Sequence, residues 1–221
     1  MFEYCQLIID NDTAQLSRVI ADQPAIANAR IDRDHLFLGK LAHWLYRGDT
    51  LLHLAAAGHR STIIQLLLNA GANPNARFNR RLGAPLHYAA DACLNEHFFS
   101  EQQVTSLQLL IDAGVCLNAQ DKNGGTALHR AVRTRAADAV AFLLKSGADP
   151  YRMNCAGSTA FHLAVQTTGR GGSGTPQAKE AQIKIIESFM QIGISSTLRD
   201  GRGKTVYDSA QSVAVRAFLE R

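Results

Sequence analysis

At 221 residues the chain is long enough for one or two domains, and its formal net charge of +4 with an isoelectric point near 9.0 leans basic without the dense Lys/Arg clusters of a nucleic-acid binder. No run reaches the roughly 18 apolar residues of a membrane span, and residues 1–5 lack the basic start and small-residue cleavage site of a secretory leader, so a cytoplasmic location is expected. Cys5, Cys93, Cys116 and Cys155 are scattered with no C-x-x-C pair, which points to free thiols rather than a disulfide framework or a metal site.

Residues 2–9 and 12–21 read as a short helix pair, with Asp12 as an N-cap and Pro24 beyond the second helix. The segment 31–48 follows and carries Leu36, Phe37, Leu38, Leu41, Trp44, Leu45 and Tyr46. Two readings stand open for it: satellite core folded back over the cap or groove, or an aromatic anchor for a partner. Thr50-Leu51-Leu52-His53 then opens a helix–turn–helix unit with helices near 51–57 and 61–69. Ile63, Ile64, Leu66, Leu67 and Leu68 crowd one broad face of the second helix, and Arg77, Phe78, Asn79, Arg80 and Arg81 form a basic loop tip.

The opening recurs at Ala84-Pro85-Leu86-His87, Thr126-Ala127-Leu128-His129 and Thr159-Ala160-Phe161-His162, with a degenerate copy at Thr205-Val206-Tyr207-Asp208. The closing recurs as Gly71-Ala72-Asn73, Gly114-Val115 and Gly147-Ala148-Asp149, with Gly193 as a weaker copy. From glycine to the next opening the distance is 12 or 13 residues, except that 27 separate Gln23, in the glycine's place, from Thr50. From histidine to glycine it is 18, 27, 18 and 31, so alternate units carry about nine and about thirteen extra residues between their two helices. The first insertion contains Asn95 to Phe99 and has its second helix resuming near Val104; the second is the glycine-rich stretch 167–176, ahead of a helix over 177–191.

A period near 33 residues carrying T-P-L-H-x-A and G-A-D resembles the ankyrin-repeat family over nearly the whole chain. The resemblance implies an all-α solenoid of about six helix–turn–helix units with β-hairpin fingers. It would form one domain over 1–221: an N-terminal cap at 1–30, the finger insertion at 31–48, four repeats over 49–202 and a C-terminal cap at 203–221. It also implies a structural role for Thr50, His53, His87, Thr126, His129, Thr159 and His162, whose side chains would tie each helix start to neighbouring backbone. The wording of the glycine loop, with Arg133-Thr134-Arg135, resembles that of a group of bacterial ankyrin-repeat proteins, which implies a bacterial source and supplies no reaction.

No catalytic constellation is evident. Glu96-His97 lacks the second histidine of H-E-x-x-H. Gly203-Lys204-Thr205 has Leu198 where a phosphate-binding loop needs its first glycine, and Thr175 breaks G-x-S-x-G after Ser173. No cofactor or metal is expected. The resemblance implies a non-catalytic protein-binding module, an adaptor, an inhibitor or an immunity-type protein. It would be a monomer holding an acidic protein partner, with no nucleic acid or membrane, through Trp44, Tyr46, Arg77, Arg80 and Arg81. The alternative is a regulator binding a phosphate-bearing or other anionic ligand in a notch made by Arg133, Arg135, Arg170, Gly171, Gly172 and Ser173.

Overall fold

The computed structural model describes residues 2–37, 43–92, 100–166 and 174–220, the side chains of Leu36, Phe37 and His43 excepted. The insertions at 93–99 and 167–173 lie outside these residues, and with them Cys93 and the Phe98-Phe99 pair.

Twelve helices among the described residues form six pairs. The first helices are α1 (Phe2–Asp10), α3 (Leu51–Ala57), α5 (Pro85–Ala90), α7 (Ala127–Arg133), α9 (Ala160–Ala164) and α11 (Val206–Ser209). The second helices are α2 (Thr13–Asp22), α4 (Ser61–Asn69), α6 (Ser100–Asp112), α8 (Ala137–Lys145), α10 (Pro176–Gln191) and α12 (Val213–Leu219). Each first helix from α1 to α9 packs on the next first helix, and α2, α4, α6, α8 and α10 pack in series as a second row.

The two rows bury differently. Every residue of α3 and of α5 is buried, because a first helix is enclosed by both neighbours and by the second row. Hence these helices are short and largely apolar, with His53 and His87 as their buried polar residues. The second helices have an open side and bury one face only: Ile63, Ile64 and Leu67 in α4, Val140, Leu143 and Leu144 in α8. Leu66 and Leu68 are partly buried against the same core. Asp12 caps α2 by accepting from the Gln15 N–H at 2.9 Å. The second helix of the third pair starts at Ser100, a turn ahead of the Val104 expected from sequence. That extra turn carries Gln103 inward, where its amide donates to the Ala89 and Asp91 carbonyls at 3.0 and 3.1 Å and ends α5.

The fingers are held less by strand ladders than by side-chain caps. Outside the insertion they show single bridges, Met153 with Thr159 and Arg199 with Thr205. Asn79, Asp121, Asn154 and Asp200 stand five residues before each opening. The Oδ1 of each accepts from the backbone N–H two and four residues on, at 2.8 to 3.1 Å.

In the insertion, β1 (His35–Phe37) pairs antiparallel with β2 (His43–Leu45), Leu36 opposite Trp44. Its neck is closed by Ile31 and Gly48–Asp49 backbone bonds at 2.7 and 2.8 Å and by the Arg30–Thr50 bridge. Gly48 sits there at φ +95°, and a Cβ on it would stand 2.3 Å from the Phe78 carbonyl oxygen. Gly71 has a similar φ of +80° with open space around it. Gly71→Ala is therefore expected to lose only the left-handed backbone preference, about 1–2 kcal/mol. Gly48→Ala adds a backbone clash of about 1–3 kcal/mol. Urea unfolding followed by circular dichroism separates the two, and equal losses would mean that the close approach costs nothing.

Candidate functional site

The repeated histidines form a ladder between units. His53 Nδ1 accepts from the Thr50 N–H at 3.0 Å and its Nε2 lies 3.1 Å from the Gly83 carbonyl. His87 makes the same pair with Ala84 N and Gly125 O, and His129 with Thr126 N and Ser158 O. His162 joins the Thr159 hydroxyl to the Lys204 carbonyl at 2.8 and 3.1 Å. A backbone N–H can only donate, so Nδ1 of the first three is an acceptor and the ring proton sits on Nε2. Burial opposes a second proton: it holds His53 and His129 below the ordinary histidine value, and His87, which Arg130 also repels, at about 4.

Asp49, which the sequence reading did not single out, lies at the base of the insertion and is fully buried. It occupies the place held by Gly83, Gly125, Ser158 and Lys204 in the later units. Its carboxylate accepts from the Tyr46 N–H at 2.7 Å, the Tyr88 hydroxyl at 2.8 Å and the Asn79 amide at 2.6 Å. Burial first, then Asp49 itself, pushes the Tyr88 hydroxyl far above its usual range, so it stays a donor. The network thus fastens Tyr46 of the insertion to the finger and first helix of the next unit.

Above it opens a cleft of about 360 Å³, lined by Trp44, Tyr46, Arg81, Asp91, Arg130 and Arg133 among others. The insertion divides between core and surface: Leu45 is fully buried and its neighbour Trp44 is 49% exposed, because successive strand residues face opposite ways. Arg80 pairs with Asp34 at 2.6 Å, and both Arg80 and Arg81 lie over the Tyr46 ring at about 5 Å. Arg77 departs from the expected free tip. Its guanidinium donates to the Leu82 carbonyl at 2.8 Å and to the Gln120 carbonyl, bracing one finger against the next. On the cleft floor Arg130 grips both carboxylate oxygens of Asp91 and lies 4.0 Å from Asp121. Burial works against its charge, but Asp91 outweighs that and its pKa is raised.

Of the expected anion notch only Arg133 and Arg135 are among the described residues. Arg133 lines the cleft just described, whereas Arg135 lines a different one with Gln103, Asp138 and Glu180. Arg135 sits at φ +59° and spends its guanidinium on the Ala164 and Gln166 carbonyls at 3.0 and 2.7 Å, closing the end of α9. His59, its counterpart two units earlier at φ +51°, reaches the Ala89 carbonyl in the same way. Arg170, Gly171, Gly172 and Ser173 fall outside the described residues. Among the described residues no group of three or more His, Cys, Asp or Glu side chains could hold a metal ion, and no helix is long and apolar enough to cross a membrane.

Helix pairs stacked in two rows, with capped loops projecting from one end, define a solenoid scaffold of the protein-interaction class. A family model described as ankyrin repeats (3 copies) matches residues 97–173, and one described as ankyrin repeat matches residues 47–79. The chain belongs to the ankyrin-repeat family. It is similar to human transient receptor potential cation channel subfamily A member 1, at 35% identity over 53% of this chain and 10% of the relative. Human ankyrin repeat and SOCS box protein 6 is 29% identical over 73% of this chain and 40% of the relative. The Arabidopsis thaliana E3 ubiquitin-protein ligase KEG is 28% identical over 68% of this chain and 8% of its own length. The chain thus spans two fifths or less of each of these relatives.

Proposed function

We propose that the chain is a non-catalytic binding module, an adaptor or inhibitor, that holds an acidic protein partner along its finger side. One observation carries the reading. Of the large apolar side chains exposed among the described residues, Trp44, Phe78, Leu82, Tyr151 and Met153 all lie on the fingers, and two others, Ile192 and Val213, lie elsewhere. Aromatic residues backed by arginine are the composition of interface hot spots.

The charge of the same face favours an acidic partner. Exposed Arg30, Arg47, Arg80, Arg81 and Arg202 stand on the fingers. Among the finger acids, Asp49, Asp121, Asp149 and Asp200 are engaged by backbone amides or side chains of the chain itself, Asp34 pairs with Arg80, and Asp32 is exposed. Such a surface steers and orients an acidic partner more than it adds raw affinity.

A tagged pull-down from the source cell, comparing wild type with a variant carrying Trp44→Ala, Arg80→Ala and Arg81→Ala, tests the reading. Hot-spot truncations cost about 2 kcal/mol each, so loss of the partner by at least tenfold is expected. A partner held equally by both chains would remove the finger side as the site.

A further inference from the structure

The cleft beneath Trp44 is more selective than the face around it. We infer that it is the receptor for one carboxylate side chain of the partner, entering between Arg81 and Arg133 with an apolar neighbour laid on Trp44. The inference rests on the finger-side reading above and names what that site recognises.

Its charges divide into spent and unspent. Arg130 and Asp91 neutralise each other on the floor, with both carboxylate oxygens of Asp91 taken. Asp121 lines the cleft as well, but its Oδ1 accepts from the Asn123 and Gly125 N–H groups at 2.8 and 2.9 Å and closes its own loop. A cationic side chain would have to displace Arg130 to reach Asp91. Arg81 and Arg133, by contrast, are exposed and make no ion pair among the described residues. Arg81 rests on the Tyr46 ring at 4.9 Å, which orders the guanidinium without neutralising it. Arg81, ordered on Tyr46, and the exposed Arg133 outnumber the one carboxylate, Asp121, that Arg130 leaves uncompensated, and either guanidinium can take an incoming carboxylate through two parallel hydrogen bonds.

Size and wall chemistry narrow the occupant. A volume of about 360 Å³ lies near the lower end of the roughly 300–1,000 Å³ of ligand sites, enough for a side chain or two and too little for a helix. Trp44 supplies a half-exposed apolar wall, so the residue beside the carboxylate is apolar or aromatic. A basic segment meets the two exposed arginines, Arg81 and Arg133, and is disfavoured by repulsion, which makes the cleft a filter by charge sign.

The test is selection of a random twelve-residue phage-displayed library on three immobilised chains: wild type, Arg81→Glu/Arg133→Glu, and Arg81→Gln/Arg133→Gln as a milder pair. The wild type is expected to enrich peptides with Asp or Glu beside an apolar residue. The reversed chain should bind those peptides at least tenfold more weakly and enrich Lys or Arg instead, and the glutamine pair should lose the acidic bias. Binding should also weaken as KCl rises from 50 to 300 mM. Wild-type enrichment without acids, no enrichment at all, or equal binding by the reversed and glutamine chains overturns the inference, as does displacement of the peptides by 10 mM inorganic phosphate. If any of these occurs while the Trp44/Arg80/Arg81 variant still loses its partner in the pull-down, the finger-side reading stands and the cleft assignment alone falls.

Discussion

Asp49→Ala is expected to cost about 2–4 kcal/mol of unfolding free energy, because each hydrogen bond to a charged acceptor contributes about 1.5–3 kcal/mol and the substitution also removes the cost of burying the charge. The carboxylate has no exposed surface, and three donors converge on it: Tyr46 N–H, Tyr88 O–H and the Asn79 amide. Alanine takes this acceptor from each of them, at about 1–3 kcal/mol apiece before relaxation, although the Asn79 amide keeps the Gly83 carbonyl at 2.8 Å. Tyr88→Phe removes a single donor and leaves the carboxylate two, so it should cost less, about 1.5–3 kcal/mol for a hydrogen bond to a charged group. Asp49→Asn falls between, because its amide keeps one acceptor but turns two donors toward Tyr88 or Asn79. Urea unfolding by circular dichroism orders the three, and a loss under about 1 kcal/mol for Asp49→Ala would show that the network does not hold the insertion in place. Because Asp49 anchors Tyr46, and β2 carries Trp44 two residues earlier, the same variant should bind partner more weakly even when it remains folded.

What the sequence displayed and what it hid divide along physical lines. Helices α3 and α4 were legible to the residue, because an opening threonine, an apolar run and a closing glycine are all local signals. The insertion was legible only in part: its apolar content was plain, but the opposite fates of Leu45 and Trp44 follow from strand alternation, and the lone Gly39 is a weak hairpin signal. Asp49 carried one sign, an acid in the place where the later units have glycine, serine or lysine. Its burial depends on Asn79 and Tyr88, 30 and 39 residues away. The Arg130–Asp91 pair likewise spans 39 residues. Arg77, expected as a partner contact, and Arg135, expected as an anion ligand, brace neighbouring backbone. Their acceptors are backbone carbonyls, which every residue has, so composition marks no target for them.

The histidine ladder leads to a second large effect, acid lability of the whole stack. Unfolded histidine titrates near 6.5, and burial holds folded His87 at about 4 and keeps His53 and His129 below the ordinary value. Above about pH 6.5 the rings are neutral in both states, and the stability they contribute is fully present. As pH falls below that, the unfolded chain takes up protons that the folded chain refuses, so stability declines until the folded groups titrate, near 4 for His87. The His87 gap alone corresponds to about 3 kcal/mol, and His53 and His129 act in the same direction. The structural cause is specific: a proton on Nδ1 removes the acceptor of the Ala84 N–H and sets two N–H groups against each other. Urea midpoints at pH 7.0, 6.0, 5.0 and 4.5 should therefore fall steeply for wild type. His87→Gln should start lower at neutral pH but decline with a slope shallower by about one proton over the same interval, a difference that cancels the carboxylates common to both chains. Parallel slopes for the two chains would show that His87 accepts its proton in the folded state as readily as in the unfolded one, and the ladder would then carry no acid sensitivity at that rung.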